Sequence, residues 1–127
     1  MTIAFIIARF ALGFYWLQVA YSHLFKSADL VGYAQMKGVP TPRAAVLGTG
    51  VLALFGGLSI LLGIWTTVGI VVLIVFLLGT AFKMHAFWND TDQNQRTANV
   101  VNFYKNIALA AAILGLIAVA TPWSYAI

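Results

Sequence analysis

AAVLGTGVLALFGGLSILLGIWTTVGIVVLIVFLLGTAF, residues 44–82, contains 39 residues without a single charge. A helix rises about 1.5 Å per residue and a hydrocarbon core is about 30 Å thick, so this stretch is roughly twice the length of one crossing and must turn back. The turn is expected at Gly63-Ile64-Trp65-Thr66-Thr67, where Gly can end a helix, Trp prefers the interface and Thr can cap the helix that follows. A tight hairpin of two spans, 44–63 and 67–88, results. Upstream, an apolar run from residue 3 to 25 is too long for a signal-peptide core and is expected to stay as an uncleaved first span. Between them lies a loop, 26–43, in which Gly38-Val39-Pro40-Thr41-Pro42 forbids a continuous helix. Downstream, the polar run 89–102 reads as an exposed loop, and a fourth span covers 100–120. Thr121-Pro122-Trp123 then supplies a helix stop and an interfacial aromatic. The expected fold is an all-α membrane protein, a four-transmembrane-helix bundle forming a single domain over residues 1–127.

Composition agrees with that pattern. Of the 127 residues, 62% are hydrophobic and 8% charged, against about a quarter charged in soluble domains, and mean hydropathy is +0.94. Most side chains therefore face lipid, and little chain remains for a soluble catalytic domain. The net charge of +4 comes from seven scattered Lys and Arg residues that form no basic stripe, which excludes nucleic acid as a partner and favours membrane headgroups. The chain has no Cys, so disulfides, thiol redox chemistry and thiolate metal ligands are absent, and a redox role needs a borrowed cofactor.

Four spans place both termini on one face and the 26–43 and 89–102 loops on the other. Six of the seven basic residues, Lys26, Lys37, Arg43, Lys83, Arg96 and Lys105, belong to the loop face, against Arg9 alone near the termini. The positive-inside rule then puts both loops in the cytoplasm and both termini outside. Helices in lipid pack through small residues at four-residue spacing, and Ala45, Thr49, Ala53 and Gly57 form such a stripe. Ala108 with Ala112 and Ala111 with Gly115 offer shorter versions in the fourth span.

Polar groups within the membrane are costly unless they snorkel, pair or face a cavity. At about 100° per residue, Arg9, Gly13, Trp16, Ala20 and His23 share one face of the first span. Arg9 either faces an interior cleft or snorkels to the outer headgroups. His23 and His85 lie at similar depth near the loop face, on parallel helices that could bring them together. Lys83, Asn102, Lys105 and Asn106 add donors at that level, as a ligand site or as a collar of interfacial anchors, with Asn99, Asn102 and Asn106 on one face of the fourth span. Two histidines without further ligands at a defined spacing do not make a haem site, and no metal is expected.

Arg9 with Leu12-Gly13, the Gly38-Val39-Pro40 loop, Val51 to Gly63 with Gly56-Gly57, and Ala81 to Trp88 followed by Phe103-Tyr104-Lys105-Asn106 together resemble the DoxX family of small four-helix bacterial membrane proteins. The resemblance covers nearly the whole chain and implies an inner-membrane protein with a quinone-linked or redox-complex role. Relatives in that family include a subunit of thiosulfate:quinone oxidoreductase, so this chain is expected to be at most a subunit supporting a separate electron donor. On that reading Arg9, Trp16, Tyr21, His23, His85, Asn102 and Lys105 are the candidate ligand-binding residues, and no catalytic residue is assigned. A quinone ring takes aromatic walls and one or two donors while its tail stays in lipid. Helix direction is expected to bring His23, His85 and Lys105 together at the loop-face mouth of the bundle. Two departures stand out. Ala53 occupies a position where the family often carries an acidic residue, and Ala20 with His23 replaces a Gly and a Lys. The alternative functions are a non-catalytic scaffold for a soluble redox or stress-response partner and, as a homo-oligomer, a small-solute transporter or channel.

Overall fold

The computed structural model describes residues 2–124, and among these every regular element is helical. Five α-helices run α1 (Ile3–Phe25), α2 (Ala28–Met36), α3 (Pro42–Leu62), α4 (Thr66–Lys83) and α5 (Gln93–Leu114). Short 3-10 turns follow α4 at Phe87–Asn89 and α5 at Gly115–Ala118. The four long helices α1, α3, α4 and α5 are each apolar and long enough to cross a bilayer. α2 is not: nine residues span about 14 Å.

Several boundaries differ from the sequence expectation. The 26–43 segment, expected to be all loop, contains α2, which begins after Ser27 and carries Asp29 in its first turn, where a negative charge suits the helix dipole. The fourth span starts at Gln93 and not near 100, because the Asp92 carboxylate accepts from the Gln95 N–H at 2.9 Å and caps the helix seven residues earlier. The loop expected over 89–102 thereby shortens to a few residues. At the α3–α4 turn Gly63 takes a left-handed conformation (φ 74°), and its N–H donates to Ser59 O at 2.9 Å, as a C-terminal glycine should. Neither threonine caps α4. Trp65 is the capping residue, at φ 49°, and Thr66 is buried as the first helical residue. Trp123, expected at the interface, is buried, with its ring edge-on to Phe5 at 5.2 Å.

α1 packs most extensively on α3, α3 on α4, and α4 on α5. The contacts run through small residues, as packing without a hydrophobic driving force requires. A Cβ added to Gly57 would stand 2.9 Å from Trp16 Cβ, and one on Gly13 would stand 3.0 Å from Leu61 Cβ. Between α3 and α4, Gly56 meets Leu73 and Gly69 meets Ser59, each at 2.4 Å from the added Cβ. The stripe expected on the second span is realised at Ala53 and Gly57, both buried, and at Thr49, which meets His23. The small residues of α5 behave otherwise. Ala108, Ala111, Ala112 and Gly115 are exposed, and α5 buries Asn99, Asn106, Ala110 and Ile113. The core that results joins Trp16, Ala20, Ala53, Ile60, Leu73, Phe76 and Ile113, among others.

Candidate functional site

The seven candidate residues do not form one cluster. Arg9 neither snorkels nor lines a cleft: it is 2% exposed, and its guanidinium reaches the end of α3. Nε donates to Ile60 O at 2.9 Å, Nη2 to Leu61 O at 2.8 Å, and Nη1 to Ser124 O. These α3 carbonyls belong to the last turn, which has no intrahelical donors, so a forked cation satisfies them and meets the negative end of the helix dipole. Arg9 is a structural clamp. Trp16 is sealed in the core, edge-on to Phe76 at 5.2 Å, and its indole N–H has no hydrogen-bond partner among the described residues. Tyr21 faces outward against Phe25.

No hydrogen bond among the described residues joins His23, His85 and Lys105 to one another. His23 Nδ1 lies 3.1 Å from both Val46 O and Thr49 Oγ1, and the ring packs against Phe76 at 5.4 Å, so this histidine belongs to the α1–α3–α4 seam. Lys105 is exposed and donates to Asn102 Oδ1, one turn back on α5, at 3.4 Å. Spans one and three end at the same face, where His23 bonds to α3, His85 to Asn99 of α5, and Lys105 to Asn102 on its own helix.

His85 sits instead in a polar network that joins α2, the end of α4 and α5. Asp90 is its anchor. The carboxylate takes Lys37 Nζ at 2.6 Å on one oxygen and Asn99 Nδ2 at 2.7 Å on the other, with both ion-pair side chains at least nine-tenths buried. The Asn99 amide, followed by the Lys37 ammonium, holds the Asp90 carboxyl below the usual carboxylate range, so it is charged at neutral pH. With its amide nitrogen committed to Asp90, Asn99 presents Oδ1 to Tyr33 OH and His85 Nδ1, each at 3.1 Å. Tyr33 OH also lies 3.2 Å from Met84 O and has one proton to share between the two acceptors. Because Oδ1 can only accept, His85 must carry its proton on Nδ1, and Nε2 is left as a lone-pair acceptor. No described residue bonds to Nε2.

Beside His85 in the chain begins an aromatic cluster. Phe87, Trp88 and Phe103 meet edge-on at 5.2 to 5.6 Å, with Phe82 5.2 Å from Phe103 and Tyr104 5.3 Å from it. Half-buried His85, an oriented imidazole two residues before this edge-to-face cluster, is an arrangement that can take a proton from, or hydrogen-bond, a flat amphipathic ligand.

The four helical spans agree with what comparison of the sequence with known proteins finds. The DoxX family model matches residues 4–86, about two thirds of the chain. The chain belongs to the DoxX family. The inner membrane protein YphA of Escherichia coli (strain K12) is 30% identical over 117 residues, covering 92% of this chain and 82% of that protein. No solved structure matches the chain. The DoxX match ends just past His85, so Tyr33, Lys37 and His85 fall within it, whereas Asp90 and Asn99, which orient that histidine, lie beyond. This DoxX chain is a multi-pass inner membrane protein, embedded in the bilayer through α1, α3, α4 and α5. At Ala53 it places a fully buried methyl group between Gly50 and Gly57.

The sequence identified His85 but missed Tyr33, Lys37 and Asp90, all in segments read as loops. Asn99 was noticed as one of three asparagines on a face without a partner. One signal was available: Asp92-Gln93-Asn94-Gln95 has the spacing of a helix-capping pair, which starts α5 early enough to carry Asn99 back beside residues 85 and 90.

Proposed function

We propose that this DoxX protein is a membrane subunit of a quinone-linked redox system, holding the ring head of a quinone or quinol beside His85 while a separate protein exchanges the electrons. The observation that carries this reading is how His85 is held: Nδ1 lies 3.1 Å from Asn99 Oδ1, which ties it to the Lys37–Asp90 pair, and no described residue bonds to Nε2. When bound, the quinone supplies the redox chemistry. The chain's residues do the holding. His85 Nε2 accepts from a ring hydroxyl and is the group to which its proton passes, as a positioned base can. Asn99 fixes the imidazole plane, Asp90 fixes Asn99, and Trp88, Phe87 and Phe103 offer edges and faces to a flat ring. A tail leaves directly into lipid.

Fluorescence titration with a short-tailed quinone tests this. Quenching is expected to saturate in the parent and to be lost in Trp88→Phe, and His85→Ala is expected to weaken binding by about three- to ten-fold, the range of one neutral hydrogen bond. Equal affinity in parent and His85→Ala overturns the site and favours the scaffold reading.

The orientation belongs to the same proposal: the loop face is cytoplasmic and both termini lie outside, on the strength of the six basic residues at that face. Alkaline phosphatase, active only outside, is expected to be active when fused after Ile127 and inactive when fused after Gln95. The reverse pattern inverts the topology and would put the His85 site on the outer face.

A further inference from the structure

A second site lies on the α2 side of Asp90. A cleft of about 290 Å³ opens between the end of α2 and the corner where α4 turns into α5, and His85 is not among its walls. Lys37 and Lys83 bring two positive charges to it and Asp90 one negative charge. That carboxylate is already committed, to Lys37 and to Asn99. Lys83, by contrast, makes no ion pair or hydrogen bond among the described residues, and neither do the side-chain amides of Asn89 and Gln95 on the same walls. An uncompensated ammonium flanked by two uncommitted amides can turn its N–H donors toward one anionic oxygen, such as that of a phosphate.

The remaining walls say which phosphate. Met36 and Phe82 make the cleft apolar on one side, and Phe82 begins a stripe on α4 that continues through Leu78, Val75 and Val71, all exposed. At spacings of four, three and four residues these side chains lie on one helix face, running from the cleft into the hydrocarbon region. A free anion has no use for that stripe. An acyl chain does.

We propose that the cleft between α2 and the α4–α5 corner binds the phosphate of an anionic phospholipid, with Lys83 as its cation, Asn89 and Gln95 as neutral donors, and the Phe82–Leu78–Val75 stripe as the bed of one acyl chain. The lipid thereby bridges α2 to α4 where the protein itself provides little more than the Lys37–Asp90 pair and Tyr33.

Native mass spectrometry of protein extracted from nanodiscs of phosphatidylcholine and phosphatidylglycerol reads this directly. The parent is expected to retain phosphatidylglycerol in preference to phosphatidylcholine, and Lys83→Gln to retain about five-fold less, the contribution of one basic residue at an anionic surface. Asn89→Ala, which leaves all charges in place, is expected to weaken retention in the same direction. Lys26→Gln, which removes an equal charge from the exposed end of α1, is expected to match the parent. Equal retention in parent and Lys83→Gln overturns the site, and so does equal loss in Lys26→Gln and Lys83→Gln, which would mean attraction to surface charge alone. Displacement of the lipid by millimolar inorganic phosphate overturns the lipid assignment in favour of a free anion. Quinone titration of Lys83→Gln is expected to match the parent, so failure here leaves the His85 site standing.

Discussion

Arg9→Met is expected to lower the stability of the protein in mixed micelles by about 3 kcal/mol or more, which makes Arg9 the most consequential polar side chain in the spans. The reason lies in what its guanidinium satisfies. Ile60 O and Leu61 O are final-turn carbonyls of α3 inside the bundle, and Ser124 O belongs to the tail that returns over the same end. A buried acceptor stripped of its donor costs about 1 to 3 kcal/mol, and hydrogen bonds to a charged group are worth about 1.5 to 3. The methionine keeps the length and apolar stem of the arginine, so packing against Phe10 and Trp123, whose rings stand 5.4 and 5.8 Å from the guanidinium, is largely retained. Arg9→Lys separates charge from geometry. An ammonium supplies the cation at the helix C-terminus but not a planar fork that reaches adjacent carbonyls, so it should recover only part of the loss. Denaturant titration of the three proteins measures the series. An Arg9→Met variant as stable as the parent would mean that water, and not the guanidinium, satisfies those carbonyls.

Arg9 also shows where reading the sequence stops. Its face, shared with Gly13, Trp16 and Ala20, is visible from helical periodicity alone, and all four are buried. Its partners are not visible, because Ile60 and Ser124 stand 51 and 115 residues away and offer backbone carbonyls, which no residue type announces. The spans were legible for the opposite reason: 39 uncharged residues constrain a helix hairpin whatever their order. Polarity was the misleading cue. It marked Ala28–Met36 and Gln93–Asn99 as loop, although a helix outside the hydrocarbon has no need to be apolar. With those helices unseen, the Lys37–Asp90–Asn99 chain behind His85 had no scaffold, and His85 was paired with His23 by depth. Depth in a membrane fixes one coordinate of three, and the helix contacts that fix the others came from glycines on α3.

Gly57→Ala is expected to destabilise the bundle by about 1 to 3 kcal/mol, while Gly48→Ala, nine residues earlier on the same helix, should be neutral or stabilising by up to about 1 kcal/mol. The two substitutions are chemically identical and differ only in what the new methyl meets. At Gly57 it would stand 2.9 Å from Trp16 Cβ, 3.3 Å from Leu17 N and 3.4 Å from Gly13 O. These atoms are backbone or fixed directly to it, so no rotamer change makes room and α1 must move away from α3. Movement there spreads. Gly13 and Gly50 meet Leu61 and His23 along the same seam, and the Arg9 clamp closes its end, so a shift at the centre loosens contacts on both sides. At Gly48 nothing lies within 4 Å of the added Cβ, and the methyl simply restricts the unfolded chain and favours the helix. Thermal or denaturant unfolding of both variants gives the sign of each effect. If Gly57→Ala melts like the parent, α1 and α3 are held apart by more than these glycines allow, and the close seam that positions Trp16, His23 and Arg9 does not exist.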